Sequence, residues 1–176
     1  MNLKQKNNYQ EYEKKYKQHI NDKNPSDEVK KYSSADEIEN QYSLNSNKEV
    51  EIDLSSRESA MYFAQNHPLF HKYNFGTPSS GPHTGWKPFK SRMNKSKFNG
   101  KYVGFEKKLD DGTYARYRLD WDPDKKAHYN VEMTVIDDMG KTKNVKFATK
   151  FDCNGTPCSE DQINKFVDRM QKIGDK

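Results

Sequence analysis

Between Thr113 and Phe151 the chain alternates apolar and polar residues with period two, a pattern that only strands with one buried face satisfy over such a length. Ala115, Tyr117, Leu119 and Trp121, then Tyr129, Val131, Met133 and Val135, then Val145, Phe147 and Phe151 share one side. The other side carries Arg116, Arg118, Asp120, His128, Asn130, Glu132, Lys146 and Lys150. A one-residue slip would turn every one of these side chains over, so the alternation fixes register as well as face.

Asp110-Asp111-Gly112 and Asp138-Met139-Gly140 fit three-residue hairpin loops with glycine at the left-handed position. The second loop pairs Val131 with Phe147 and Met133 with Val145, and on the polar face Glu132 with Lys146 and His128 with Lys150. The first sets Phe105 opposite Tyr117 and Glu106 opposite Arg116. These spacings predict a four-stranded antiparallel meander over residues 101–108, 113–121, 128–136 and 142–151. A helix follows: Ser159 and Gln162 form a capping box, Ile163, Phe166, Val167 and Met170 an apolar stripe, and Gly174 a stop. The fold class is therefore α+β, with an N-terminal helix or helices, the meander, and a C-terminal helix packed along the sheet.

Upstream of the sheet the apolar content thins. Only 31% of the 176 residues are hydrophobic and mean hydropathy is −1.28, so one compact core with much solvated chain is expected. Residues 1–50 are rich in Lys, Asn, Glu and Ser, with a weak helical stripe at Tyr9, Tyr12, Tyr16 and Ile20. Asn24-Pro25 would end that stripe, and Ser26 could cap a second short helix. Such a segment reads as a polar, partly helical or mobile lead-in, with the folded domain in residues 51–176. Ser55 and Glu58 form a capping-box pattern before Ala60, Met61, Phe63 and Ala64, and Pro68 is expected to stop that helix. The Gly-, Pro- and Ser-rich stretch from Phe70 to Phe89 reads as a long surface loop.

Charge is uneven along the chain. Residues 1–50 hold nine lysines and nine acids, whereas residues 71–118 hold eleven Lys plus Arg against three acids, a local excess of +8. Clustering of this kind marks a polyanion partner, or else the Lys and Asn bias of an AT-rich genome. No run is long and apolar enough for a membrane span and the first thirty residues lack a signal-peptide core, so a soluble chain without its own export address is expected. Phosphate-cradling, dinucleotide, nucleophile-elbow and zinc motifs are missing, so neither a nucleotide cofactor nor a metal is expected. His67 and His71 have metal-pair spacing, but Pro68 interrupts the helix that would align them. Cys153 and Cys158 enclose Asn-Gly-Thr-Pro, a turn that could bring them together. Free thiols are the expectation for a cytosolic loop, and a small-loop disulfide is the alternative in an oxidising compartment.

The polar sheet face is the chemical candidate. His128 could move a 2′-hydroxyl proton or protonate a leaving 5′-oxygen, with Glu132 as complement, Asn130 between them, and Arg116, Arg118, Lys146 and Lys150 stabilising a phosphorane. No metal is needed for that division of labour. His83, Trp86 and Lys87 could lay a histidine and a stacking ring over a nucleotide, or Trp86 could pack in the core. The plain alternative for Glu132–Lys146 and Glu106–Arg116 is cross-strand ion pairing on a solvated face.

Arg118-Leu119-Asp120-Trp121-Asp122-Pro123-Asp124, followed by Ala127-His128-Tyr129-Asn130-Val131-Glu132, resembles the C-terminal tip domains of bacterial polymorphic toxins, with their W/F-D-P loop and G-x-H-x-N-V-E strand. Ser56-Arg57-x-x-Ala60-x-x-x-Ala64 is similar to the helix that precedes the sheet in several of them. The resemblance spans residues 55–170, with Lys126 standing where the form has glycine. It implies the architecture of the barnase, EndoU, colicin and RelE ribonucleases: a metal-independent toxin that cuts RNA. Such a toxin would act in the cytoplasm of a competing cell after delivery as part of a larger protein, and a small acidic immunity protein would neutralise it. A non-catalytic module binding nucleic acid or a protein partner through the same basic face is the alternative. An immunity or adaptor protein fits the basic charge poorly.

Overall fold

A computed structural model of the chain describes residues 34–44, 49–78, 85–92 and 98–174, together with Glu11 and Lys14. Its elements are α1 (Ala35–Leu44), β1 (Val50–Leu54), α2 (Arg57–Asn66), α3 (Pro68–Lys72), β2 (Lys87–Lys90), β3 (Tyr102–Lys108), β4 (Tyr114–Asp122), β5 (Lys126–Ile136), β6 (Thr142–Cys153), β7 (Thr156–Pro157) and α4 (Glu160–Gly174). The class is α+β, but the sheet is larger than a meander. Its seven strands run β1-β6-β5-β4-β3-β2, with β7 paired to β6. Because β1 lies parallel to β6 while the other pairs are antiparallel, the sheet is mixed.

The expected registers appear within this larger sheet. Val131 faces Phe147, Met133 faces Val145, Glu132 faces Lys146 and His128 faces Lys150. Phe105 faces Tyr117 and Glu106 faces Arg116. Both hairpin glycines are left-handed, Gly112 with φ +87° and Gly140 with φ +77°. Three strands were not anticipated: the two-residue β7 and the two flanking strands β1 and β2. Val50–Leu54 alternates cleanly between buried and exposed, yet five residues inside a polar stretch give a weak signal. Lys87–Lys90 carries Pro88, which is tolerated because β2 is an edge strand. Phe89 pairs with Gly104, where an added Cβ would stand 1.9 Å from the Tyr117 carbonyl oxygen. Glycine at 104 is what lets β3 lie this close to β4.

One face of the sheet packs on α2 and α4. Ala60, Phe63 and Ala64 of α2 are buried against it, and the Thr149 hydroxyl donates to the Ala60 carbonyl at 3.1 Å. The helix cap falls one residue later than expected: the Ser56 side chain accepts from the Ser59 amide, and Glu58 takes no part. Ser56 has the extended backbone that a cap requires, with φ −140°. Pro68 ends α2 but also opens α3 at its first turn, where its missing N–H costs nothing. The Phe70–Phe89 stretch is thus not one loop, since it contains part of α3, buried Phe75 and Trp86, and most of β2. The capping box of α4 is present, with Ser159 and Gln162 bonded reciprocally at 2.8 and 3.2 Å. Ile163 and Val167 are buried beneath it, and the Gln171 amide bonds both backbone groups of Tyr102.

Within the stretch read as lead-in, α1 buries Ala35, Ile38 and Tyr42 in the common core, and Lys72 and Lys143 both bond Glu39. The stripe residues Tyr9, Tyr12, Tyr16 and Ile20 and the cap at Ser26 lie outside the described residues. Cys153 and Cys158 form a disulfide, which corrects the expectation of free thiols. Asn154 and Gly155, both at positive φ, make the tight turn that aligns them.

Candidate functional site

The face of the sheet away from α2 and α4 is built in rows, set by the strand registers. One row is a ladder of alternating charge, Lys87, Glu106, Arg116, Glu132 and Lys146, each opposite the next. Arg116 donates from Nε to Glu132 at 3.0 Å and lays its guanidinium over the Phe89 ring, 4.9 Å from the centroid. Tyr114 donates to Glu106. In this row Glu132 is engaged by Arg116, and Arg116 is in turn held by Glu132.

A second row holds Asp120, His128, Lys150 and Asp53. A third, between the two, holds Gly104, Arg118, Asn130, Ala148 and Glu51. His128 is fully buried and Asn130 is 5% exposed. Arg118 and Asp120 are bonded at 3.1 Å, and the Asn130 amide nitrogen donates to the same Asp120 oxygen at 3.4 Å. Asn130 Oδ1 and His128 Nε2 are buried without a hydrogen-bond partner among the described residues.

The β4–β5 turn fixes the His128 ring. Nδ1 lies 2.7 Å from the Lys126 carbonyl, which can only accept, so Nδ1 carries a hydrogen. Lys126 reaches that position in the left-handed region, with φ +59°. Glycine would hold this conformation without the steric penalty that a side chain incurs. Asp122 closes the turn: its Oδ1 accepts the amides of Asp124 and Lys125 at 2.9 and 2.6 Å. Its Oδ2 lies 3.8 Å from His128 Nε2. At 36% side-chain exposure, against 14% for Asp120 and 13% for Arg118, Asp122 is the solvent-side member of the cluster.

The sequence-predicted residues thus divide. His128, Asn130, Arg118 and Lys150 come together on neighbouring rows. Glu132 sits four residues along β5 from His128, a backbone separation of about 13 Å at two residues per ~6.7 Å, and its carboxylate is engaged by Arg116. Arg116 and Lys146 share its row. The carboxylates beside His128 are instead Asp120 and Asp122; the Asp-Pro-Asp turn could have pointed to Asp122, since an Asx turn needs an aspartate there. Trp86 takes the packing alternative: it is buried against Phe70 and Phe75 and donates its indole N–H to the Phe75 carbonyl at 3.2 Å. It is not open to a nucleotide. Lys87 is exposed on the edge strand, and His83 lies outside the described residues.

The basic excess is partly spent inside the fold. Lys72 pairs with Asp36 and Glu39, Lys101 with Asp168, Arg116 with Glu132, and Arg118 with Asp120. Lys87, Lys90, Arg92 and Lys108, on β2 and β3 or next to β2, have no carboxylate partner among the described residues. Lys150 meets Glu51 and Asp53 of β1, at 3.7 and 3.5 Å. His67 and His71 gather no further metal donor, and no cluster of three or more His, Cys, Asp or Glu suited to a metal occurs among the described residues. Among the described residues no helix is long and apolar enough to cross a membrane. Comparison of the chain with protein-family models, with curated proteins and with solved structures finds no match.

Proposed function

We propose that the chain is a metal-independent ribonuclease of the toxin type, with His128 as general base for the RNA 2′-hydroxyl. The observation that carries this reading is the setting of His128: its Nδ1 hydrogen is held by a backbone carbonyl, its Nε2 has no hydrogen-bond partner among the described residues, Lys150 stands opposite it and Arg118 lies diagonally across on β4. With Nδ1 committed to the carbonyl, Nε2 is the nitrogen left to take a proton. Arg118 and Lys150 are the cations placed to offset charge on a phosphorane. His128 is fully buried, so a 2′-hydroxyl reaches Nε2 only if the partly exposed Asp122 beside it moves aside. Lys87, Lys90, Arg92 and Lys108 supply phosphate contacts along the strand. As a toxin the domain would be delivered within a larger protein and held in check by a small acidic partner.

The engagement of Glu132 by Arg116 and of Lys150 by the β1 carboxylates favours a second reading, a nucleic-acid-binding module without chemistry. Incubating the protein with total RNA and with DNA, with and without EDTA, separates the two. Cleavage of RNA alone, unaffected by EDTA, supports the enzyme, while retarded but intact RNA supports the binding module. Binding in either case weakens steeply with salt, since each neutralised phosphate releases counterions.

A further inference from the structure

We infer that the turn from Asp122 to Lys126 is the device that sets the His128 tautomer, and that Asp122 is a positioning residue for it. The inference rests on His128 being the base, but its primary readout does not need catalysis. One short turn reaches both ring nitrogens. The Lys126 carbonyl takes the Nδ1 hydrogen at 2.7 Å, and the Asp122 carboxylate faces Nε2 at 3.8 Å.

The two Asp122 oxygens have separate tasks. Oδ1 binds the amides of Asp124 and Lys125 and so holds the turn shut, which aims the Lys126 carbonyl at the ring. Oδ2 places negative charge beside Nε2, where a proton taken from substrate arrives. Lys126 holds φ +59°, a conformation unfavourable for a residue with a side chain. Backbone strain at a point that orients a candidate base is the kind of strain found at working sites. The Lys126 ammonium lies 5.4 Å from the centre of the Trp121 ring, and Trp121 donates its indole hydrogen to the Cys158 carbonyl at 3.1 Å, so the turn is anchored at its flank as well.

Two substitutions separate the tasks. Asp122→Asn keeps an oxygen for the turn amides but removes the charge; Asp122→Ala removes both. Nitrogen-15 shifts of His128 in the full chain give the tautomer directly. The parent and Asp122→Asn are expected to show one tautomer, protonated on Nδ1, and Asp122→Ala a mixture. With RNA as substrate, Asp122→Asn is expected to lower kcat about 10²-fold with KM changed less than about threefold. A mixed tautomer in the parent, or a single Nδ1-protonated form in folded Asp122→Ala, overturns the inference. So does parental kcat in Asp122→Asn. A parent that never cleaves RNA refutes the ribonuclease reading instead, and the tautomer result then decides the positioning role by itself.

Discussion

His67 offers a quantitative test of the core. Its ring is fully buried, 4.0 Å from the Phe70 ring and 4.8 Å from Phe147, and neither ring nitrogen has a hydrogen-bond partner among the described residues. Burial, and then the neighbouring His71, holds its pKa well below the ordinary histidine value, and burial brings His71 down to about 4. Both groups are neutral in the folded chain at pH 5, whereas their unfolded counterparts, titrating near 6.5, are protonated. The unfolded state therefore binds more protons between pH 6.5 and 4, and stability falls as pH is lowered through that window. From pH 7.5 to 5 a histidine kept fully neutral forfeits about 2 kcal/mol, from 1.5 pH units at 1.36 kcal/mol each. For the half-buried His71, screening by solvent reduces this to about 1 kcal/mol. Urea unfolding of the parent should thus lose about 3 kcal/mol between pH 7.5 and pH 5, and His67→Phe only about 1 kcal/mol. At pH 7.5 the variant should be no less stable than the parent, because two desolvated nitrogens are exchanged for apolar contact. An equal pH dependence in parent and variant would refute the placement of His67.

Lys126→Gly should raise stability by about 0.5–1 kcal/mol in urea, since a left-handed residue loses its steric penalty and only one exposed cation–π contact is given up. Gly104→Ala, whose new Cβ would meet the Tyr117 carbonyl oxygen at 1.9 Å, should cost more than about 3 kcal/mol or prevent folding, read by circular dichroism and thermal unfolding. Reducing the Cys153–Cys158 bridge should cost up to about 2 kcal/mol, the chain-entropy value for so short a loop, and less to the extent that the Asn154-Gly155 turn already closes it.

The legible parts of the fold were those with long local patterns. Strict alternation and two glycine loops specified four strands and their pairings, because a slip would expose Val131 and Met133. The edge strands were hidden for opposite reasons: Val50–Leu54 is too short to stand out, and Lys87–Lys90 is masked by Pro88 and by the glycines before it. Burial of Trp86 depends on Phe70 and Phe75 arriving from α3 and the turn after it, a tertiary fact that no local window contains. At the site, alternation grouped His128, Asn130 and Glu132 on one face. Sharing a face is not proximity, however, since four residues of strand separate His128 from Glu132. Asp122 was overlooked because its role depends on the turn folding back onto β5.

The central claim is that His128 takes a proton from a ribose 2′-hydroxyl, and a DNA strand carrying a single ribonucleotide tests it most directly. The parent is predicted to cut only after that ribonucleotide, in EDTA, leaving a 2′,3′-cyclic phosphate. His128→Ala should bind the strand equally and cut it at least about 10²-fold more slowly. Cleavage at deoxynucleotides, no cleavage by the parent, or undiminished cleavage by His128→Ala would contradict the account.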